Sequence, residues 1–228
     1  MNETQRQDPP NVHRWRVGVL ISGRGSNLPA LFAAAGKPDY PAEIALVVSN
    51  RADAPGLERA AAAGVATSVV EHVRYGKDRE AFERALQAEL ETHGIELVCL
   101  AGFMRLLTPF FVQRWEGRLI NIHPALLPAF KGLDTHARAL RAGVKIHGAS
   151  VHFVTGDLDA GPILAQAAVP VLDADTPTTL AARVLEAENV IYPIALRLVA
   201  EGRVRIIDGR CVIDEKRPAE GALIVPCP

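Results

Sequence analysis

Short apolar runs alternate with stretches of helical periodicity along the first hundred residues. Residues 16–21 (RVGVLI) predict a buried strand, 22–27 a turn, and 28–35 a helix closed by Gly36. Residues 43–49 predict a second strand, 55–63 an Ala-rich helix ending at Gly64, and 67–70 a third strand. Across 78–93, Ala81, Phe82, Ala85, Leu86 and Leu90 recur at helical spacing until Gly94 stops them. A fourth strand is predicted at 95–100.

Beyond residue 101 the rhythm loosens. A short helical segment precedes a strand at 118–122, which stops at Pro124. A helix is predicted at 135–142 and strands at 148–154 and 162–171. The short loop 155–161 between these strands favours an antiparallel pair. Residues 178–200 predict a long helix with Pro193 inside it, hence a kink. Residues 203–207 and 210–213 flank Asp208-Gly209, a strong hairpin signal. The pattern predicts an α/β fold with a doubly wound, mostly parallel sheet. An antiparallel portion toward the C-terminus and a C-terminal hairpin complete it. Residues 1–14, polar and carrying Pro9-Pro10, read as a flexible tail, and 15–228 as one domain.

Composition narrows the class. With 228 residues, 49% hydrophobic and 22% charged, the chain reads as a soluble globular protein. A formal net charge of -1 argues against nucleic-acid binding, which needs a basic stripe. No apolar run approaches a membrane span, and the N-terminus lacks an apolar signal core. Cys99, Cys211 and Cys227 form neither a metal spacing nor an even disulfide set. A cytoplasmic setting and no metal are therefore expected.

The candidate chemistry clusters around residues 97–132. Residues two apart on a strand share a face, so Asn121 and His123 point one way and Ile120 and Ile122 the other. An amide and an imidazole ending a buried strand need a partner or a ligand. The turn SGRGSN after the first strand offers backbone N–H groups at a helix start, which suits an anion such as phosphate. Leu28 stands where a dinucleotide fingerprint has its third glycine, and no Walker ending follows, so a single phosphate is expected. Both the turn and the Asn121–His123 pair lie at carboxyl ends of strands, where open α/β sheets bind ligands.

Asp157 and Asp159 lie in the loop TGDLDAG, and one of them could reach and orient His123. Spacing leaves open which. Glu188 falls on the apolar seam Leu180, Val184, Ile191, Ala195, Leu198, so its carboxylate needs a partner, either a substrate amine or an arginine. The run Phe103-Met104-Arg105-Leu106-Leu107 suits a cleft wall for a flat ring bearing a carboxylate, with Phe103 itself packing in the core. Arg79 opens its helix as a surface residue able to pair with a carboxylate.

Five motifs in order, LISGRGSNL, SNRADAPGLERA, LAGFMRLL, GRLINIHPALLPAFKG and HGASVHFVTGDLDAGPIL, strongly resemble the folate-dependent phosphoribosylglycinamide formyltransferase family of purine synthesis. The resemblance covers residues 17–203. It implies formyl transfer from 10-formyltetrahydrofolate to the amine of glycinamide ribonucleotide through a tetrahedral intermediate. Gly25, Ser26, Asn27 and Pro124 would then hold the ribonucleotide, and Glu188 its amino group. Arg79, Met104, Arg105, Leu106, Leu107 and Asn121 would contact the folate. Asn121 would bind the formyl oxygen, His123 would be the catalytic acid, and Asp159 its partner. Small molecules are the expected partners, and the chain is expected as a monomer or homodimer. Ala125 stands where many relatives carry Ser, and Leu185 where a polar or basic residue near the phosphate is expected. Methionyl-tRNA formyltransferase and formyltetrahydrofolate deformylase share parts of the pattern but usually carry an added domain, for which this length leaves no room. A formate-releasing hydrolase and a non-catalytic nucleotide-binding module are the rival readings.

Overall fold

The computed structural model describes residues 13–214. The expected N-terminal tail lies outside them apart from residues 13 and 14, and Cys227 lies outside them too. Arg14 is tied down, its guanidinium donating to the carbonyls of Ala35, Tyr40 and Ala42.

Among the described residues, seven strands build one sheet: β1 Trp15–Ile21, β2 Ala42–Ser49, β3 Ala66–Val69, β4 Leu97–Leu100, β5 Leu119–His123, β6 Ile146–Phe153 and β7 Ile163–Pro170. Their order is β3-β2-β1-β4-β5-β6-β7. The first five run parallel, and β6 is antiparallel to both β5 and β7. Six α-helices accompany them: α1 Leu28–Ala35, α2 Pro55–Ala62, α3 Arg79–Thr92, α4 Pro109–Arg114, α5 Thr135–Ala142 and α6 Pro177–Ala200. A separate hairpin, β8 Val204–Ile207 and β9 Arg210–Ile213, follows. Its turn residues Asp208 and Gly209 both have positive φ, as a two-residue hairpin turn of matching twist requires.

Strands buried on both faces read as unbroken apolar runs, and β4 (LVCL) is buried at every position. Alternate residues feed two cores. Val17, Val19, Leu97, Cys99, Ile120 and Ile122 pack with Leu28, Leu31, Ala60, Ala139, Leu180 and Tyr192, residues of α1, α2, α5 and α6. Leu20, Val98, Leu100 and Leu119 pack on the opposite face with Phe82, Leu86 and Leu90 of α3 and Phe111 of α4. The sheet is therefore covered on both sides, as expected of a doubly wound fold.

Element limits differ from the sequence reading for local reasons. Strand β4 starts at Leu97, two residues later than expected, because residues 94 and 95 finish α3. Gly94 takes φ 59°, and the Ile95 amide bonds the Leu90 carbonyl. Asp78 caps α3 instead of joining it, accepting from the Ala81 amide. Gly36 ends α1 in a right-handed conformation, with no left-handed step. Helix α6 is one continuous element through Pro193, the position of the expected kink. No described helix is long and apolar enough to cross a membrane.

Two features align the strand ends that matter. Strand β4 lies between β1 and β5, so the carboxyl ends of all three sit side by side. Beside β1 the chain order reverses, β2 on one flank and β4 on the other, which is the switch point where open sheets bind ligands. From α6, the buried Tyr192 hydroxyl donates to the Leu100 carbonyl at 2.9 Å and lies 3.4 Å from that of Ile120. That pins the helix over β4 and β5 and sets the depth of Glu188, one turn earlier.

Candidate active site

Asn121 and His123 end β5 on the face opposite Ile120 and Ile122. In the antiparallel ladder to β6, Asn121 faces His152 and His123 faces Ser150. A one-residue slip of β5 would turn Asn121 and His123 to the other face, so the buried Ile120 and Ile122 hold the register. His123 is almost fully buried. Its Nε2 lies 3.0 Å from the Phe130 carbonyl and its Nδ1 3.4 Å from Asp159 Oδ2. Both ring nitrogens thus face oxygen atoms.

The loop between β6 and β7 folds back so that the carboxylate of Asp159 enters this cluster. Asp159 adopts φ 47°, a conformation that Asp tolerates better than most residues. Its Oδ2 also accepts from the Gly132 amide at 2.8 Å, and its Oδ1 lies 3.7 Å from His152 Nε2. Asp157 is exposed, which resolves the ambiguity between the two aspartates in geometric terms. His152 received no role from the sequence. It is 2% exposed, its Nε2 lies 3.1 Å from Asn121 Nδ2 and its Nδ1 2.9 Å from the Phe153 carbonyl. Burial pushes its pKa down, against the opposing pull of the Phe153 carbonyl and Asp159. The available signal was the polar pair Ser150 and His152, two apart in a strand buried almost throughout.

The glycine turn forms the second half. Gly25 takes φ 62°, and an added Cβ would lie 2.5 Å from Leu28 Cδ1 and 3.1 Å from the Gly56 Cα. The Gly56 amide bonds the Gly23 carbonyl, so the turn is braced against α2. Asn27 occupies the N-cap of α1 without capping it. Its Nδ2 instead donates to Glu188 Oε2 at 2.9 Å, with both residues buried. Glu188 thus has a carboxamide partner where the sequence left an amine or an arginine open. Burial pushes the Glu188 pKa up, and the Asn27 bond pulls it back. The Leu28 amide bonds the Gly25 carbonyl and Pro29 has no N–H, so the amides of the turn itself are the ones suited to an anion. Ser26 and Pro124 are half-buried beside these groups in the chain, and Leu185 is half-buried on α6.

Residues 101–108 connect the two halves. The Ser22 hydroxyl donates to Asn50 Oδ1 at 2.6 Å and accepts from the Met104 amide at 2.7 Å. Phe103 is buried and stacks on Phe82, with ring centroids 6.5 Å apart. Buried Glu83 accepts from the Thr108 amide at 2.7 Å and from its hydroxyl. Held at both ends, the segment leaves Met104 63% and Leu106 57% exposed. Arg105 and Leu107 are half-buried and Arg79 is exposed. Ala125 is fully buried, and its carbonyl accepts from the Ser150 hydroxyl. A recess of about 410 Å³ lies between Asn50–Asp53 and Glu71–Val73. Among the described residues, no group of three or more His, Cys, Asp or Glu is placed to hold a metal.

Residues 15–196 match the family model described as formyl transferase. The trifunctional purine biosynthetic protein adenosine-3 of Gallus gallus is 51% identical over 195 residues, 86% of this chain. The chain spans only 19% of that relative's length. Phosphoribosylglycinamide formyltransferase of Escherichia coli K12 is 45% identical over 206 residues, covering 90% of this chain and 97% of that relative. Among solved structures, glycinamide ribonucleotide transformylase 1 from Symbiobacterium toebii superposes with a TM-score of 0.87 at 46% identity, covering 92% of this chain and 99% of that one.

Proposed function

This chain belongs to the formyl transferase family, and from that premise we propose that it transfers the formyl group of 10-formyltetrahydrofolate to the amino group of 5'-phosphoribosylglycinamide. The observation that carries this reading is the meeting of Asn121, His123 and Asp159 at the same end of the sheet as an uncapped glycine turn. A relative matched over nearly its whole length bears that activity in its name.

In this reading Gly25, Ser26, Asn27 and Pro124 hold the ribonucleotide, its phosphate at the turn. Glu188, already bonded to Asn27, receives the amine. Arg79 and the backbone and side chains of Met104 to Leu107 bind the folate, whose flat ring suits the exposed apolar surface of Met104 and Leu106. The neutral amine attacks the formyl carbon, forming a C–N bond while the carbonyl oxygen gains negative charge. Asn121 N–H and His123, whose Nε2 exchanges the Phe130 carbonyl for it, stabilise that oxygen, and losing one such donor typically costs about 2.7–4 kcal/mol. The bond to the folate nitrogen then breaks. The proton shed by the amine passes to that nitrogen, with Asp159 and His123 relaying it. The products are the N-formyl ribonucleotide and tetrahydrofolate. Holding both substrates in one cleft supplies proximity in addition.

The test is a transfer assay with purified protein, 10-formyltetrahydrofolate and a panel of amines that includes the ribonucleotide. Formyl transfer to the ribonucleotide, with formate release negligible in its absence, is the expected result. Formate release that ignores the amine points to a hydrolase and overturns the proposal, as does preference for a different amine. His123→Ala is expected to lower kcat by at least ~10²-fold with the fold intact by circular dichroism.

A further inference from the structure

His152 has no substrate contact assigned to it, yet its Nε2 lies 3.1 Å from the Asn121 carboxamide nitrogen. Its protonation pattern follows from chemistry. Nδ1 lies 2.9 Å from the Phe153 carbonyl oxygen, which can only accept, so that nitrogen carries the hydrogen. In the neutral ring, Nε2 then offers a lone pair and faces Asn121 at 3.1 Å, nearer than Asp159 Oδ1 at 3.7 Å, which is beyond hydrogen-bond distance. A lone pair repels an amide oxygen and attracts an amide N–H, which sets the carboxamide with Nδ2 toward His152. One Nδ2 hydrogen is thereby used, and the other is held in a fixed direction. Flipped by 180°, Asn121 would present its carbonyl oxygen to His152, and the amide N–H would leave its present position. The backbone supports the same pairing, because Asn121 and His152 are directly opposed in the β5–β6 ladder and His152 is 2% exposed.

We propose that His152 is a positioning residue, whose Nε2 lone pair locks the Asn121 carboxamide in the one orientation that keeps an N–H free for the oxygen of the transferred group. This deepens the formyl-transfer reading and rests on it. The lock acts on the transition state more than on substrate capture, since the oxygen becomes a strong acceptor only when charge builds on it.

Two measurements on the full chain test it. Long-range 1H–15N spectra of the wild-type histidines at pH 7.5 are expected to show His152 protonated at Nδ1 and bare at Nε2; the opposite tautomer overturns the proposal without any mutation. In steady-state formyl transfer, His152→Phe is expected to lower kcat by at least ~10-fold while both KM values stay within ~3-fold. His152→Gln, whose side-chain oxygen can accept from Asn121, should recover most of that loss. In an Asn121→Ala background, His152→Phe should cost less than ~2-fold, because nothing is left to orient. An undiminished kcat in His152→Phe, a loss confined to KM, no recovery in His152→Gln, or an equal cost in both backgrounds overturns it. A wild type that transfers no formyl group to the ribonucleotide defeats the underlying reading instead, while the tautomer spectrum still decides the His152–Asn121 geometry.

Discussion

At the scale of single residues, charge placement separates binding from chemistry. Asp159 approaches both His123 and His152 and accepts from the Gly132 amide, so removing its charge changes the cluster without emptying it. Asp159→Asn is expected to lower kcat by at least ~10²-fold, with much smaller changes in KM for either substrate. A wild-type kcat in the folded variant would take Asp159 out of the reaction. Glu188 predicts the opposite division. Its carboxylate is shared with Asn27 Nδ2 in a buried setting, and a hydrogen bond to a charged group is worth roughly 1.5–3 kcal/mol. Glu188→Gln should therefore raise KM for the ribonucleotide roughly 10-fold or more and leave KM for the folate nearly unchanged. An unaltered ribonucleotide KM rejects Glu188 as the amine's partner. Both positions were partly visible in the sequence: the seam placed Glu188 on a buried stripe, and the loop offered Asp157 and Asp159. Asn27 was read as a phosphate ligand, and nothing local pointed to its bond with a helix much later in the chain.

At the scale of elements, the glycine turn shows how backbone conformation limits what a loop can be. Gly25 holds φ 62° with Leu28 and Gly56 crowding the place of a side chain. A non-glycine residue there pays about 1–2 kcal/mol for the left-handed conformation alone. Gly25→Ala is expected to lower stability by at least that amount in denaturant unfolding and to raise ribonucleotide KM with little effect on folate KM. A variant as stable as wild type would show that the turn relaxes without consequence. Strands and helices were largely legible because their periods of 2 and 3.6 residues are written in consecutive positions. Errors sat at the ends, as at Ile95, where capping hydrogen bonds compete with strand pairing.

At the scale of the whole molecule, buried histidines couple stability to pH. His147 is 1% exposed, and neither ring nitrogen finds a partner among the described residues. Burial, reinforced by neighbouring His136, pushes its pKa from the ordinary 6.5 to about 4. Between those values the unfolded chain binds more protons than the folded one, so stability falls as pH falls. Its contribution is intact above pH ~6.5 and is lost progressively toward pH ~4, up to roughly 3 kcal/mol. Burial shifts His136 and His152 in the same direction. Urea unfolding at pH 7, 6 and 5 should show this decline, and His147→Phe should flatten it. An identical slope in the variant would clear His147 of the effect.

The order of apolar and polar positions determined the fold class, because a chain with unbroken apolar strands and amphipathic helices can bury both only as a covered, mostly parallel sheet. It also marked Asn121 and His123 as candidates for chemistry, since polar groups at buried strand ends are costly unless used. Tertiary structure alone decided the partners. Asn121 meets His152 across 31 residues and Asn27 meets Glu188 across 161. Such meetings depend on strand register and on how loops return, and neither is encoded in the spacing of neighbours along the chain.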